Sequence, residues 1–287
     1  MHYVKKIGLI ASISLLIGSC SKDKYEATVP AYVTINSIDF TTNYSSQGSA
    51  SNNITDAWVY VNDDLVGVFE LPSTFPILRT GNVKLAVYGG IKDNGISTSR
   101  ARYIPYDPHV VQVDLVAGET IEIQPTITYN SDVQFTWMED FENASLSFLY
   151  TAGSDTTVFK QTNEVKEGAF SGEVYLKNDM DFFEATSIGY SNLPKDGTPV
   201  YLEMDFKTTE TTVIGLYLDG TQYAVVNLNP TTEWKKIYVN MTDLVNSPVG
   251  RGASEIKVFF GIQDTQTNPF DADNPQIHLD NLKLIHF

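Results

Sequence analysis

Short runs in which apolar and polar residues alternate, broken by Asn, Asp and Gly, recur from residue 32 to the end of this 287-residue chain. A period of two puts every second side chain on the same face of an extended strand, so such runs bury one face only by joining a sheet. Val83-Lys84-Leu85-Ala86-Val87-Tyr88 and Val111-Gln112-Val113-Asp114-Leu115 alternate cleanly, and Ile121-Glu122-Ile123 follows the turn Ala117-Gly118-Glu119. No helix-period segment of convincing length interrupts them. Sixteen Tyr and fifteen Phe, with abundant Thr and Val, favour the same conformation. The expected fold class is all-β, and the length exceeds what one small core usually occupies, which predicts two β-sandwich domains.

Turn chemistry places the hairpins. Ala57-Trp58-Val59-Tyr60-Val61 and Leu65-Val66-Gly67-Val68-Phe69 flank Asn62-Asp63-Asp64, which predicts a hairpin with a three-residue polar turn. Ile214 to Leu218 and Tyr223 to Leu228 flank Asp219-Gly220-Thr221 in the same way. The polar stretch from Thr41 to Asn53 reads as a long loop outside the core. Asn130-Ser131-Asp132 reads as a link, which gives an N-terminal sandwich over 30–132 and a C-terminal domain over 133–287.

The first nineteen residues divide into a short head carrying Lys5 and Lys6 and an uncharged apolar stretch from Ile7 to Gly18. That is the layout of a secretory signal, and it is shorter than the roughly 20 residues a membrane-spanning helix needs. It closes on Ile17-Gly18-Ser19-Cys20, which resembles the lipobox of bacterial lipoproteins. The resemblance implies cleavage after Ser19, a covalent lipid on Cys20 and a tether over 20–29. A diacylglycerol supplies both of the chains that stable anchoring requires. Cys20 is the one cysteine of the chain, so no intramolecular disulfide can form. Ser21 lacks the Asp that tends to retain lipoproteins in the inner membrane, and Ser21-Lys22-Asp23-Lys24-Tyr25-Glu26 resembles the export tag of Bacteroidota surface lipoproteins. An outer-membrane, cell-surface location is the expectation.

Four later segments carry a second resemblance. They are Glu139-Asp140-Phe141-Glu142, then Val165-Lys166-Glu167-Gly168-Ala169-Phe170-Ser171-Gly172, then Glu233-Trp234-Lys235-Lys236-Ile237-Tyr238-Val239, and Ile277-His278-Leu279-Asp280-Asn281-Leu282-Lys283-Leu284. In this order they resemble the galactose-binding-like jelly roll that many carbohydrate-binding modules share, across Trp137 to Phe287. The resemblance implies paired terminal strands and a structural calcium near them, held by Glu142 and Asp280. Asp271-Ala272-Asp273-Asn274 does not extend this to an EF-hand, because Pro275 follows and no Glu stands at the twelfth position.

Sugar rings offer C–H faces and hydroxyl edges, so a glycan site needs aromatic platforms beside amide or carboxylate groups. Tyr190, Asn192, Tyr217, Tyr223 and Asn227 are the expected ligand-binding residues. Trp234 reads as structural. No zinc-binding His spacing, nucleophile elbow or phosphate loop is present, and no enzyme activity is expected. The formal charge of −16 becomes −18 once residues 1–19 are removed, which excludes the basic patches of nucleic-acid binders. Two roles fit: a membrane-anchored lipoprotein that binds polysaccharide through its jelly roll, or a non-catalytic accessory lipoprotein contacting outer-membrane protein partners.

Overall fold

The computed structural model describes residues 28–177, 179–264 and 275–287. Residues 1–19, Cys20, most of the tether and the acidic segment 271–274 lie outside them. Described strands before residue 130 are β1 (Ala31–Ile35), β2 (Asp39–Thr41), β3 (Asp56–Val61), β4 (Asp64–Glu70), β5 (Ser73–Ile77), β6 (Gly81–Lys92), β7 (Arg100–Arg102), β8 (His109–Leu115), β9 (Thr120–Glu122) and β10 (Thr126–Thr128). After it come β11 (Gln134–Glu139), β12 (Leu149–Tyr150), β13 (Phe159–Gln161), β14 (Ser171–Tyr175), β15 (Phe182–Thr186), β16 (Val200–Thr208), β17 (Thr212–Leu218), β18 (Thr221–Leu228), β19 (Lys235–Asn240), β20 (Ile256–Gln263) and β21 (Gln276–His286). Among the described residues helix is confined to single turns at Tyr44–Gln47, Thr242–Asn246 and Pro248–Gly252.

The fold is all-β, two sandwiches with two buried clusters, the first of which also takes in Tyr201, Tyr238 and Ile285 of the second sandwich. In the first, β4-β3-β6-β7, with β8 also on β6, faces the sheets β5-β1-β9 and β10-β2. In the second, β13-β14-β21-β16-β19, with β11 on β21, faces β12-β15-β20-β17-β18. No hydrogen-bonded sheet mixes strands from the two sets. The paired termini of the jelly roll are present, with Gln134 opposite His286 and Glu139 opposite Leu282.

Both hairpin turns are one residue tighter than the sequence suggests. Asn62 and Asp63 take φ of 50° and 70°, and Asp219 and Gly220 take 48° and 82°. Positive φ at both central positions is the two-residue turn whose twist matches the strands, so Asp64 and Thr221 join their strands.

The two sandwiches meet over polar residues of β16 and β21 that carry their own sheet's outward face. Glu203 is fully buried there. It accepts hydrogen bonds from the hydroxyls of Tyr103 and Tyr129 of the first sandwich, each at 2.8 Å, and Lys236 Nζ lies 3.5 Å from its Oε2. Lys283, 1 % exposed, donates to Ser49 O and, at 3.2 Å, to Tyr129 Oη. Burial pulls its ammonium down to about 7. Around this network stand Tyr106, Tyr201 and Tyr238, with Tyr103 ring centroids 4.6, 4.9 and 4.7 Å from theirs.

The stretch from Thr41 to Asn53, expected as a loop outside the core, is part of this junction. Ser49 is buried and donates to Glu167, Ser51 Oγ donates to Asp205 Oδ1 at 2.8 Å, and Asn53 N donates to Tyr238 Oη at 2.9 Å. Ser49 is the one buried residue of the segment, and Ser51 supplies a donor to Asp205, a carboxylate that is fully buried.

Removing one partner of a buried charge network strands the rest, at a cost of about 3–5 kcal/mol. Glu203→Ala is expected to lower unfolding stability by that amount in urea titration, and Tyr103→Phe by about 1 kcal/mol for one hydrogen bond. A Glu203→Ala protein with an unchanged urea midpoint would show that the junction does not rely on this carboxylate.

Candidate functional site

The sheet of β12, β15, β20, β17 and β18 turns one face to the jelly-roll core and the other outward. Ile214, Leu216 and Leu218 of β17 and Ile256, Val258, Phe260 and Ile262 of β20 are core residues. Alternation therefore sends Val213, Gly215 and Tyr217, and Lys257, Phe259 and Gly261, to the outward side. Phe259 pairs with Gly215, and a Cβ added to Gly215 would sit 2.6 Å from the Phe259 ring. That glycine lets the ring lie down on the strand. Tyr217 packs edge-on against the same ring, with centroids 5.4 Å apart.

Glu184 of β15 organises the polar part of this face. It is 5 % exposed, and its two oxygens accept from Tyr217 Oη and from Gln222 Nε2, each at 2.8 Å. Burial, then the bond to Glu184, pushes the Tyr217 hydroxyl up to about 12, so Tyr217 remains a neutral donor at physiological pH. Next to Tyr217 a groove of about 360 Å³ runs between edge strand β12 and the β17 hairpin. Leu149, Tyr150, Thr151, Thr186, Tyr217, Glu255 and Lys257 line it. Tyr150 is 43 % exposed, and Lys257 Nζ is held 2.9 Å from Glu255 Oε2. Tyr150 lies opposite the core residue Ala185 and sends its hydroxyl to Val158 O at 3.5 Å, so the groove has one phenol wall, Tyr217, with Leu149 and a pair of opposite charges beside it, a set that can stack on a ring and trade hydrogen bonds with hydroxyls.

Of the residues expected to bind ligand, Tyr217 lies in this groove. Asn227 is exposed on the same outward face, opposite Val213 at the far end of the hairpin. Tyr190 and Tyr223 are corrections. Tyr190 is 7 % exposed and belongs to the core, and Tyr223, opposite Leu216, packs against the core, because register turns that pair inward. Asn192 is exposed in the loop after Tyr190 and lines no part of the groove. Trp234 is half-buried, its ring centroid 6.2 Å from that of His278. Sequence reading missed Glu184, Tyr150, Glu255, Lys257 and Phe259. The alternation in Phe182-Phe183-Glu184-Ala185-Thr186 was the available signal, but it does not say which face stays open.

Glu142 and Asp280 do come to one turn, at residues 166–170. Glu142 Oε1 accepts from the amides of Ala169 and Phe170 at 2.8 and 3.0 Å. Asp280 Oδ2 accepts from those of Lys166 and Glu167, each at 3.2 Å, and its Oδ1 from that of Asn281 at 2.9 Å. Calcium takes six to eight oxygens at about 2.3–2.6 Å. Here both carboxylates face N–H hydrogens, which repel a cation, and no group of three or more His, Cys, Asp or Glu among the described residues is placed to hold a metal. The donor set as it stands does not fit calcium; the two side chains act as clamps on the turn.

No protein-family model matches the chain, and no curated protein matches it. Among solved structures, the xylan-binding domain from carbohydrate-binding module family 22 is 14 % identical, the match covering 52 % of this chain and 93 % of that one, with a TM-score of 0.36. The family 11 carbohydrate-binding module of the Clostridium thermocellum cellulase Lic26A-Cel5E is 12 % identical over 53 % of this chain and 94 % of that one, with a TM-score of 0.35. The enzymatically active domain of bacteriophage CBA120 tailspike protein 4 is 16 % identical over 52 % of this chain and 20 % of that one, at 0.35. Likenesses this distant carry no argument about the groove.

Burial, ahead of the nearby Asp205 charge, pushes Asp280 up to about 7 despite its amide donors. The native state therefore holds a proton that the unfolded chain releases near pH 4. Stability is expected to fall as pH rises from about 5 to 7, with a slope approaching 1.4 kcal/mol per pH unit from this group. Thermal melts across that range should show the slope in the native protein and its loss in Asp280→Asn; equal slopes in both would assign the pH dependence elsewhere.

Proposed function

We propose that the jelly roll binds glycan non-catalytically in the groove between β12 and β17, and that a lipid on Cys20 holds the protein to the outer membrane with the groove facing outward. The observation that carries the binding reading is Tyr217 at the wall of a groove whose polar groups are already paired. Glu184 orients the Tyr217 hydroxyl, and Glu255 and Lys257 orient each other, so a bound sugar would meet donors and acceptors that need not be reordered on binding. Hydroxyls serve as donor and acceptor at once, which suits a rim carrying both a carboxylate and an ammonium. The anchor reading rests on the signal layout and on Ile17-Gly18-Ser19-Cys20.

Screening residues 21–287 against plant, algal and host glycans is the direct test. Tyr217→Ala is expected to weaken the best ligand by about tenfold, in line with roughly 1–1.5 kcal/mol for an aromatic contact, while the melting temperature shows that the fold persists. Absence of binding across the whole screen would favour the accessory role, in which the sandwiches contact outer-membrane proteins.

Cys20→Ala in the full chain is expected to move the protein from the membrane fraction to the soluble fraction. A variant that stays membrane-bound would leave the lipid anchor without support.

A further inference from the structure

The first sandwich carries a second aromatic groove, remote in sequence from the jelly-roll site. Trp58 and Tyr60 of β3 and Tyr88 of β6 are half-buried on the outward side of their sheet, and Trp58 stands directly opposite Tyr88 on one side and Val68 on the other. Tyr60 and Tyr88 pack edge to face at 5.3 Å. The Arg102 guanidinium caps Tyr88 at 4.6 Å.

Trp58 lies down on Gly90. A Cβ added there would be 2.8 Å from its Nε1 and 2.9 Å from its Cδ1, so one face of the indole rests on a strand that has no side chain at that point. A groove of about 430 Å³ opens beside it, lined by Asp56, Trp58, Val68, Glu70 and Arg100, within the roughly 300–1,000 Å³ usual for small-molecule sites. Its polar end is rigid. Arg100 Nη1 is bonded to Asp56, itself 1 % exposed, and its Nη2 lies 3.0 Å from Glu70 Oε1.

We propose that this groove is a second saccharide site, taking a neutral pyranose with its C–H face on Trp58 and Val68 and its hydroxyl edge toward Glu70 and Arg100, which the buried Asp56 holds in place. Two carboxylates beside one guanidinium repel phosphate, sulfate and uronate groups. The guanidinium between them disfavours a cation. A hydroxyl edge satisfies both signs, donating to the Glu70 carboxylate and accepting from the guanidinium. An apolar peptide segment would cover the same charges without answering them. With a site on each sandwich the chain would hold one polysaccharide at two points, and the second contact would then form at high effective concentration.

The test uses residues 21–287 carrying Tyr217→Ala, so that the jelly-roll groove does not contribute. This protein is titrated with neutral hexose and pentose oligosaccharides by calorimetry, and then again with Trp58→Ala or Val68→Glu added. Val68 is 40 % exposed, so its replacement fills the groove without opening the core. The expected result is retained saccharide binding by the Tyr217→Ala protein and at least a tenfold loss on adding either groove substitution. No binding by the Tyr217→Ala protein, or binding unchanged by both groove substitutions, would overturn the second site. Failure of the jelly-roll reading is seen separately, as equal affinity of the native protein and Tyr217→Ala.

Discussion

Glu203 is removed from water at a point where two sandwiches press together, and a carboxylate in that position is tolerable only while its partners surround it. Two tyrosine hydroxyls come from one sandwich and an ammonium from the other. The partners are costly in their own right, since Lys283 is drawn down by the same burial. Polar networks of this kind are specific because half a network is worse than none. Any sliding of one sandwich across the other would part Tyr103 and Tyr129 from Glu203, and Ser51 from Asp205. The network thereby fixes a single relative placement of the two halves, and with it the spacing between the groove on β3 and the groove on β17.

The alternating runs and turn residues were enough to predict strands and hairpins, and the jelly-roll resemblance implied the pairing of β11 with β21. What they did not disclose was the junction. Tyr201, Glu203 and Asp205 alternate with Leu202, Met204 and Phe206, and that pattern normally marks a face in water. Period two identifies which side chains share a face and is silent on whether a second domain will cover it. The segment 41–53 is the polar, mostly exposed loop that was expected, yet Ser49 and Ser51 of it reach the junction, because Ser serves a buried carboxylate as well as it serves solvent.

The sites show a similar limit. Tyr217 and Tyr223 are six residues apart across one hairpin, and the expectation treated them alike. A bulge between Ile214 and Gly215 and the two-residue turn set their register, which turns Tyr217 outward and Tyr223 inward. A tighter turn than the sequence suggested is worth one strand position, and one strand position exchanges the faces. Glu184 was unremarkable as a letter among many acids; its meaning comes from the two side chains that reach across the sheet to it.

The placement of β1 has a mechanical side. It lies between β5, antiparallel, and β9, parallel, with three residues paired to β9 and five to β5. The hydrogen bonds of a ladder run across the strands, so tension entering the chain ahead of residue 31 is directed along β1 and loads both ladders in shear, many bonds at once, with no end bond to peel first. In the lipid-anchored arrangement proposed above, entry through an interior strand would transmit pull into the sheet as a whole, a geometry suited to withstanding drag on whatever the outward faces hold.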